Sequence, residues 1–178
     1  MPAENVSATR KVKSAARKEP RFRSILFICA ANTARSVMAE HILRRELHRR
    51  GIARAVRVAS AGIAPYARDG ALVSLDTRLV LRDDGIHLDE FATSTDLKRH
   101  PELLDEADLV IAMTGQQARD LLERFPTASA RPVHTLRSFA GEIGDIEDPV
   151  EKGDSVFSAC RDEIKRLIPI IAGRLFQD

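Results

Sequence analysis

A chain of 178 residues, 44% hydrophobic and 30% charged, suits one globular domain large enough to fold without disulfide staples. A formal charge of +2 says little about partners, and no apolar run reaches the ~20 residues of a membrane span. The N-terminus lacks the apolar stretch of a secretory signal, and two cysteines, Cys29 and Cys160, fit a reducing compartment, so a cytoplasmic protein is expected.

Residues 1–23 carry Arg10, Lys11, Lys13, Arg17, Lys18, Arg21 and Arg23 against Glu4 and Glu19, with no apolar periodicity. They are expected to form a disordered basic tail, leaving 24–178 as the folded domain. Ser24 to Cys29 (SILFIC) reads as a buried parallel strand, and Ala30 to Ala34 as a short connection. From Ser36 the pattern turns helical. Met38, Ile42, Leu43 and Leu47 share one face, Arg44, Arg45, Arg49 and Arg50 lie largely opposite, and Gly51 is the stop. Val56 to Ser60 is a second strand followed by a turn at Ala61-Gly62, and Leu72, Leu75, Leu79 and Val80 predict a second helix ending near Gly85. Ala107 to Met113 is a third strand, Leu121, Leu122 and Phe125 mark a helix ending before Pro126, and Val133 to Leu136 is a fourth strand. The last helix places Val156, Cys160, Ile164, Leu167 and Ile171 on one face, with Pro169 expected to kink or interrupt it. Strands alternating with helices imply an α/β fold: a parallel sheet covered on both faces, with right-handed crossovers.

Sites in such folds lie at the carboxyl ends of strands. Cys29 ends the first strand, and Cys29-Ala30-Ala31-Asn32-Thr33-Ala34-Arg35-Ser36 is a C-x5-R-S loop opening a helix. Five intervening residues can curl so that their backbone N–H groups and the helix N-terminus form an anion cradle. Arg35 supplies a planar fork for two phosphate oxygens. The same positive surroundings favour a thiolate at Cys29, a nucleophile in line with phosphorus. The loop has neither the glycines nor the lysine of an ATP-binding loop, and no Cys or His stands at zinc-ligand spacing, so no metal or other cofactor is expected. Phosphoryl transfer needs a proton donor for the leaving oxygen. Asp148, stiffened by Pro149, is the candidate, and Asp145 is next. His41, His48, His87, His100 and His134 share no spacing and read as surface or helix residues.

The run from Ile25 to Glu40 (ILFICAANTARSVMAE) resembles the signature of low-molecular-weight protein tyrosine phosphatases. Ser60-Ala-Gly62, Ala107 to Thr114, Thr135-Leu136, Phe139-Ala-Gly141 and Asp145-Ile-x-Asp148-Pro149 follow in the same order, so the resemblance covers about residue 24 to the C-terminus. It implies a doubly wound, four-stranded parallel sheet with the phosphate-binding loop after the first strand. It also implies a cysteinyl-phosphate at Cys29, oxygens held by Arg35, a thiolate stabilised by Ser36, and Asp148 as acid and then base. Asn32 would shape the loop in a left-handed conformation, with Ser60 bracing it. Ala30, Ala31, Thr33 and Ala34 complete the cradle. The expected partner is a phosphorylated protein substrate, with no nucleic acid or membrane partner, and the expected state is a monomer or weak dimer.

Several positions depart from the family pattern. Ala31 replaces a glycine and strains the loop if its φ is positive. Ala34 replaces a protective second cysteine, Val37 a proline, and a residue near Phe91 a histidine that supports the loop asparagine. Val150-Glu151-Lys152 follows the acid in place of aromatic or glycine residues. Tyr66, six residues after Ser60, matches an aromatic wall suited to phosphotyrosine. Thr33 stands where similar protein arginine phosphatases carry threonine, which makes phosphoarginine the alternative substrate. A phosphate-binding module without catalysis is the rival from another class, and retention of both Cys29 and Asp148 argues against it. Arsenate reductase needs further cysteines between Cys29 and Cys160, and there are none.

Overall fold

The computed structural model describes residues 19–177. Most of the expected basic tail, residues 1–18, lies outside the described residues. The last part of that segment joins the fold: Phe22 is buried in the core, and the Arg21 amide donates to the Leu175 carbonyl at 2.7 Å.

Four strands, β1 (Ser24–Cys29), β2 (Arg57–Gly62), β3 (Leu109–Ala112) and β4 (Val133–Thr135), form one sheet in the order β2-β1-β3-β4. All three pairings are parallel. Among the described residues six α-helices accompany them: α1 (Arg35–Arg49), α2 (Leu75–Asp83), α3 (Glu102–Asp105), α4 (Gly115–Arg124), α5 (Leu136–Ala140) and α6 (Asp154–Arg174). The two-residue period of a strand decides which face each β1 side chain serves. Ile25, Phe27 and Cys29 pack with Met38, Leu43 and Leu47 of α1 and with Phe157, Ile164 and Leu167 of α6. Leu26 and Ile28 face the other way, onto Leu97, Leu104 of α3 and Leu121 of α4. Both faces are therefore covered, which is why β1 and β3 read as unbroken apolar runs. From β1 the chain first adds β2 on one side and then crosses to β3 on the other. The reversal opens a crevice at the carboxyl end of β1, where Cys29 stands.

Three local expectations are corrected. Ala61 and Gly62 are not a turn: β2 continues through them because Cys29 of β1 pairs in register with Gly62. Leu72 is not helical but bridges to Thr93, and α2 begins at Leu75, where the Ser74 side chain caps it by accepting from the Thr77 amide. Pro169 does not interrupt α6, which runs unbroken from Asp154 to Arg174. A proline inside a helix costs ~3 kcal/mol. Here Ile164, Leu167, Ile168, Ile171 and Ala172 are buried on both sides of it, and that packing outweighs the lost backbone bond.

Candidate active site

The site is built where β1 hands over to α1. The N-cap of α1 is Ala34, which offers no side-chain acceptor, and the first turn holds no acidic residue. The positive end of the helix is thus left for an external anion. The loop's carbonyls are held by the scaffold. Cys29 O accepts from the Ile63 amide at 3.0 Å, Ala30 O from the Ala64 amide at 3.0 Å, and Thr33 O from the Ser74 amide and the Thr77 hydroxyl, both at 3.1 Å. Because a trans peptide points its N–H opposite to its C=O, these bonds turn the amides of Ala30, Ala31 and Ala34 away from the scaffold.

The sulfur of Cys29 lies 2.9 Å from the Ser36 hydroxyl, and the Asn32 amide donates to it at 3.3 Å. Asn32 sits in the left-handed region with φ 59°, a conformation asparagine tolerates better than most residues. Its side-chain amide donates to Ser36 Oγ at 2.9 Å and to Ser60 Oγ at 2.8 Å, and its Oδ1 accepts from the Thr95 amide at 2.9 Å. Among the described non-glycine residues only Asn32 and Glu151 have positive φ, so Ala31 is not strained by its side chain. The glycine this loop needs stands opposite: a Cβ on Gly62 would come within 2.9 Å of Ala30 O and of the Ala31 carbonyl carbon.

Arg35 is buried and points its guanidinium across the crevice. Nη1 donates to the Ile146 carbonyl at 3.0 Å, and Nη2 pairs with Asp148 Oδ2 at 2.6 Å. Asp148 is half exposed (45%), and its other oxygen accepts from the Val150 amide at 3.2 Å. The loop that carries it hangs from β3 and the start of α4. The Ile146 amide donates to the Met113 carbonyl at 2.9 Å, and Asp145 Oδ1 accepts from the Gly115 amide at 2.8 Å. Asp145 is therefore an anchor, and Asp148 is the acid that faces Arg35.

Tyr66 is 71% exposed, on a loop tethered to the 94–98 segment through Lys98 Nζ and the Ala64 carbonyl at 2.8 Å and through Ser94 Oγ and the Arg68 carbonyl at 2.6 Å. The sequence reads the family's supporting histidine as replaced near Phe91, and the loop asparagine has other partners. Phe91 points into solvent, and the Thr95 backbone amide holds Asn32. Cys160 is buried under the Asp148 loop, its sulfur 3.7 Å from the Glu147 carbonyl, and burial pushes its thiol up to about 12. Of the histidines, His41 is half buried and its imidazolium is disfavoured, with a pKa lowered to about 4 by burial and by Arg44. His100, between Glu102 and Asp69, is shifted upward, and His134 packs on Phe139. Among the described residues, no hydrogen bond joins any of them to the Cys29 network.

Sequence reading missed Glu40, which receives the Ser60 hydroxyl proton and pairs with Arg44 at 2.7 Å. It also missed Thr95 and Gly62 as parts of the loop's support. Glu40 could have been flagged as an acid among apolar neighbours on the buried side of a helix. Thr95 acts through its backbone, which carries no sequence signal.

Such a crevice marks the class of α/β proteins that hold an oxyanion between a strand-to-helix loop and an arginine, with a cysteine at the base. A family model described as low molecular weight phosphotyrosine protein phosphatase matches residues 24–178, and the chain belongs to that family. It is 37% identical over 152 residues to a protein-arginine-phosphatase of Geobacillus stearothermophilus, covering 85% of this chain and 95% of the relative. It is 33% identical over 149 residues to low molecular weight protein-tyrosine phosphatase A of Mycobacterium tuberculosis, covering 82% and 86%. The solved structure of YwlE arginine phosphatase from Geobacillus stearothermophilus superposes with a TM-score of 0.74 at 36% identity, covering 86% of this chain and 92% of that one.

Proposed function

We propose that this protein hydrolyses phosphorylated side chains of proteins, phosphotyrosine first, through a cysteinyl-phosphate. The observation that carries the reading is the meeting of three chemistries in one crevice: the Cys29 sulfur with donors from Ser36 and Asn32, the Arg35 fork, and the Asp148 carboxyl bonded to that fork. In the first step Cys29 Sγ attacks phosphorus and the P–O bond to the leaving oxygen breaks. Arg35 and the loop amides take up the charge on the equatorial oxygens, and Asp148 gives its proton to the leaving oxygen. In the second step Asp148 accepts a proton from water, the water oxygen attacks phosphorus, and the S–P bond breaks to release inorganic phosphate. No metal or redox partner enters this balance.

Tyr66 supports phosphotyrosine, because its exposed ring stands on a tethered loop and can stack on a phenyl ester for about 0.5–1.5 kcal/mol beyond burial. Phosphoarginine is the second reading, favoured by Thr33 in the loop and by the 37% identity to a protein-arginine-phosphatase. The domain at 24–178 acts in the cytoplasm as a monomer or weak dimer in this reading. Among the described residues, no helix is long and apolar enough to cross a membrane.

The test is turnover of p-nitrophenyl phosphate with and without chelator, in wild type and Cys29→Ser. Wild type should turn over equally in both, and Cys29→Ser should bind vanadate but not turn over. Residual turnover in the variant above about one hundredth of wild type would contradict a covalent route. Phosphotyrosine and phosphoarginine peptides compared in wild type, Thr33→Ile and Tyr66→Ala then assign the substrate. Selective loss of phosphotyrosine activity in Tyr66→Ala supports the first reading, and a phosphoarginine preference reversed by Thr33→Ile supports the second.

A further inference from the structure

A chain of polar contacts runs from the half-exposed Arg44 through Glu40 and Ser60 to the buried Asn32, Ser36 and the Cys29 sulfur. Its direction can be worked out from chemistry alone. The Thr95 amide can only donate, so the atom of Asn32 that meets it is Oδ1 and the other end of that side chain is the NH2 group. That NH2 has two hydrogens, one for Ser36 Oγ and one for Ser60 Oγ. Ser60 therefore accepts from Asn32 and must send its own proton elsewhere. Glu40 Oε2 accepts it; burial raises the carboxyl's pKa, and the Ser60 bond and Arg44 act against that rise. Ser36 likewise accepts from Asn32, and the sulfur is the one acceptor recorded for its hydroxyl proton among the described residues. Both ends of the chain thus enforce the same polarity, with every hydroxyl proton assigned.

Resting on the phosphatase reading above, we propose that Glu40 is a positioning residue for the reaction: through Ser60 and Asn32 it locks the Ser36 hydroxyl as a donor to the Cys29 thiolate. Glu40 touches neither substrate nor sulfur. It acts by holding Ser60 as an acceptor, so that Asn32 is pinned from both sides and cannot rotate its NH2 away from Ser36. Buried networks of this kind are worth having only when every member is satisfied, and this one is. An open pocket of about 270 Å³ lies beside it, where Asn32, Glu40, His41, Ser60 and Thr95 meet apolar side chains such as Val37 and Leu103, so the carboxylate's removal would leave its partners free to re-pair with water.

The test reads the sulfur directly, without substrate, so its failure is separate from failure of the phosphatase reading. The rate of Cys29 alkylation by iodoacetamide is followed against pH on the full chain, with the adduct mapped by mass. Cys160 is buried with its thiol pushed up to about 12 and does not interfere. Glu40→Gln should move the profile to higher pH, slowing alkylation at pH 6 by about threefold to tenfold, the scale of one weakened bond to a charged acceptor. The sign is diagnostic. Loss of a nearby negative charge acting through space would ease thiolate formation and move the profile to lower pH. In a Ser36→Ala background Glu40→Gln should have no further effect. If Glu40→Gln does not fold, Ser60→Ala breaks the same link and should shift the profile in the same direction. An unmoved profile in the folded variants, a shift to lower pH, or an equal shift in the Ser36→Ala background overturns the proposal.

Discussion

Gly62→Ala separates the support of the phosphate loop from its chemistry. The added methyl carbon would lie 2.9 Å from Ala30 O, 2.9 Å from the Ala31 carbonyl carbon and 3.1 Å from Ala31 O. Ordinary carbon contacts begin near 3.5 Å, so something must yield by about half an ångström. All three opposing atoms are backbone, so no side chain can swing aside. Gly62 is also held in place: its amide donates to Thr95 O at 2.8 Å, its carbonyl accepts from the Leu97 amide at 3.0 Å, and it pairs with Cys29 in the sheet. The Ala30-Ala31 stretch is the part that moves, and with it the cradle. Overpacking of this kind costs about 1–3 kcal/mol of stability. A 1 Å misplacement in an active site costs about 10²-fold in rate, so half of that displacement should lower kcat/KM by roughly tenfold or more. The assay is kcat/KM for p-nitrophenyl phosphate beside the vanadate inhibition constant and a denaturant midpoint. A variant that loses stability but keeps kcat/KM and vanadate affinity within twofold of wild type would refute the reasoning, because the strain would then have been absorbed away from the loop.

Asp148→Asn should slow cleavage by about 10²- to 10⁴-fold for poor leaving groups and much less for acidic phenols, read as a steeper dependence of kcat on leaving-group pKa. An equal loss across the series would remove Asp148 from the acid role. Peroxide should inactivate the enzyme with poor recovery by thiol, because Ala34 offers no partner for a sulfenic acid and Cys160 is buried with its thiol pushed up to about 12. A mass-mapped Cys29–Cys160 disulfide would contradict this. His41 should make folding sensitive to acid. Its folded pKa is lowered from 6.5 to about 4, so the unfolded chain takes up the proton first and stability falls as pH drops through that window. With allowance for its partial exposure the loss is on the order of 1 kcal/mol. Urea midpoints at pH 7.5 and 4.5 should show a smaller drop for His41→Gln than for wild type.

Those features that depend on neighbours along the chain were legible in the residues themselves. The run Ile25 to Cys29 declares a strand buried on both faces, because five consecutive apolar residues leave no polar side to expose. The C-x5-R-S spacing places a thiol, a run of backbone amides and an arginine together, because the strand ends at Cys29 and the helix starts at Arg35. The amphipathic stripe of Met38, Ile42, Leu43 and Leu47 orients α1 over the sheet for the same local reason. What the tertiary structure alone decided are the contacts between segments far apart in the chain. Asp148 came to face Arg35 and Asp145 to anchor the loop because the Ile146 carbonyl and the Asp148 carboxylate both reach Arg35, 111 and 113 residues earlier, while Asp145 accepts from the Gly115 amide. Ala61-Gly62 became strand, and not a turn, because β1 was there to pair with it. Pro169 stayed helical because the core on both sides of it outweighs one missing N–H. The support of Asn32 came from the Thr95 backbone amide, which every residue but proline carries, so no side-chain pattern could have announced it.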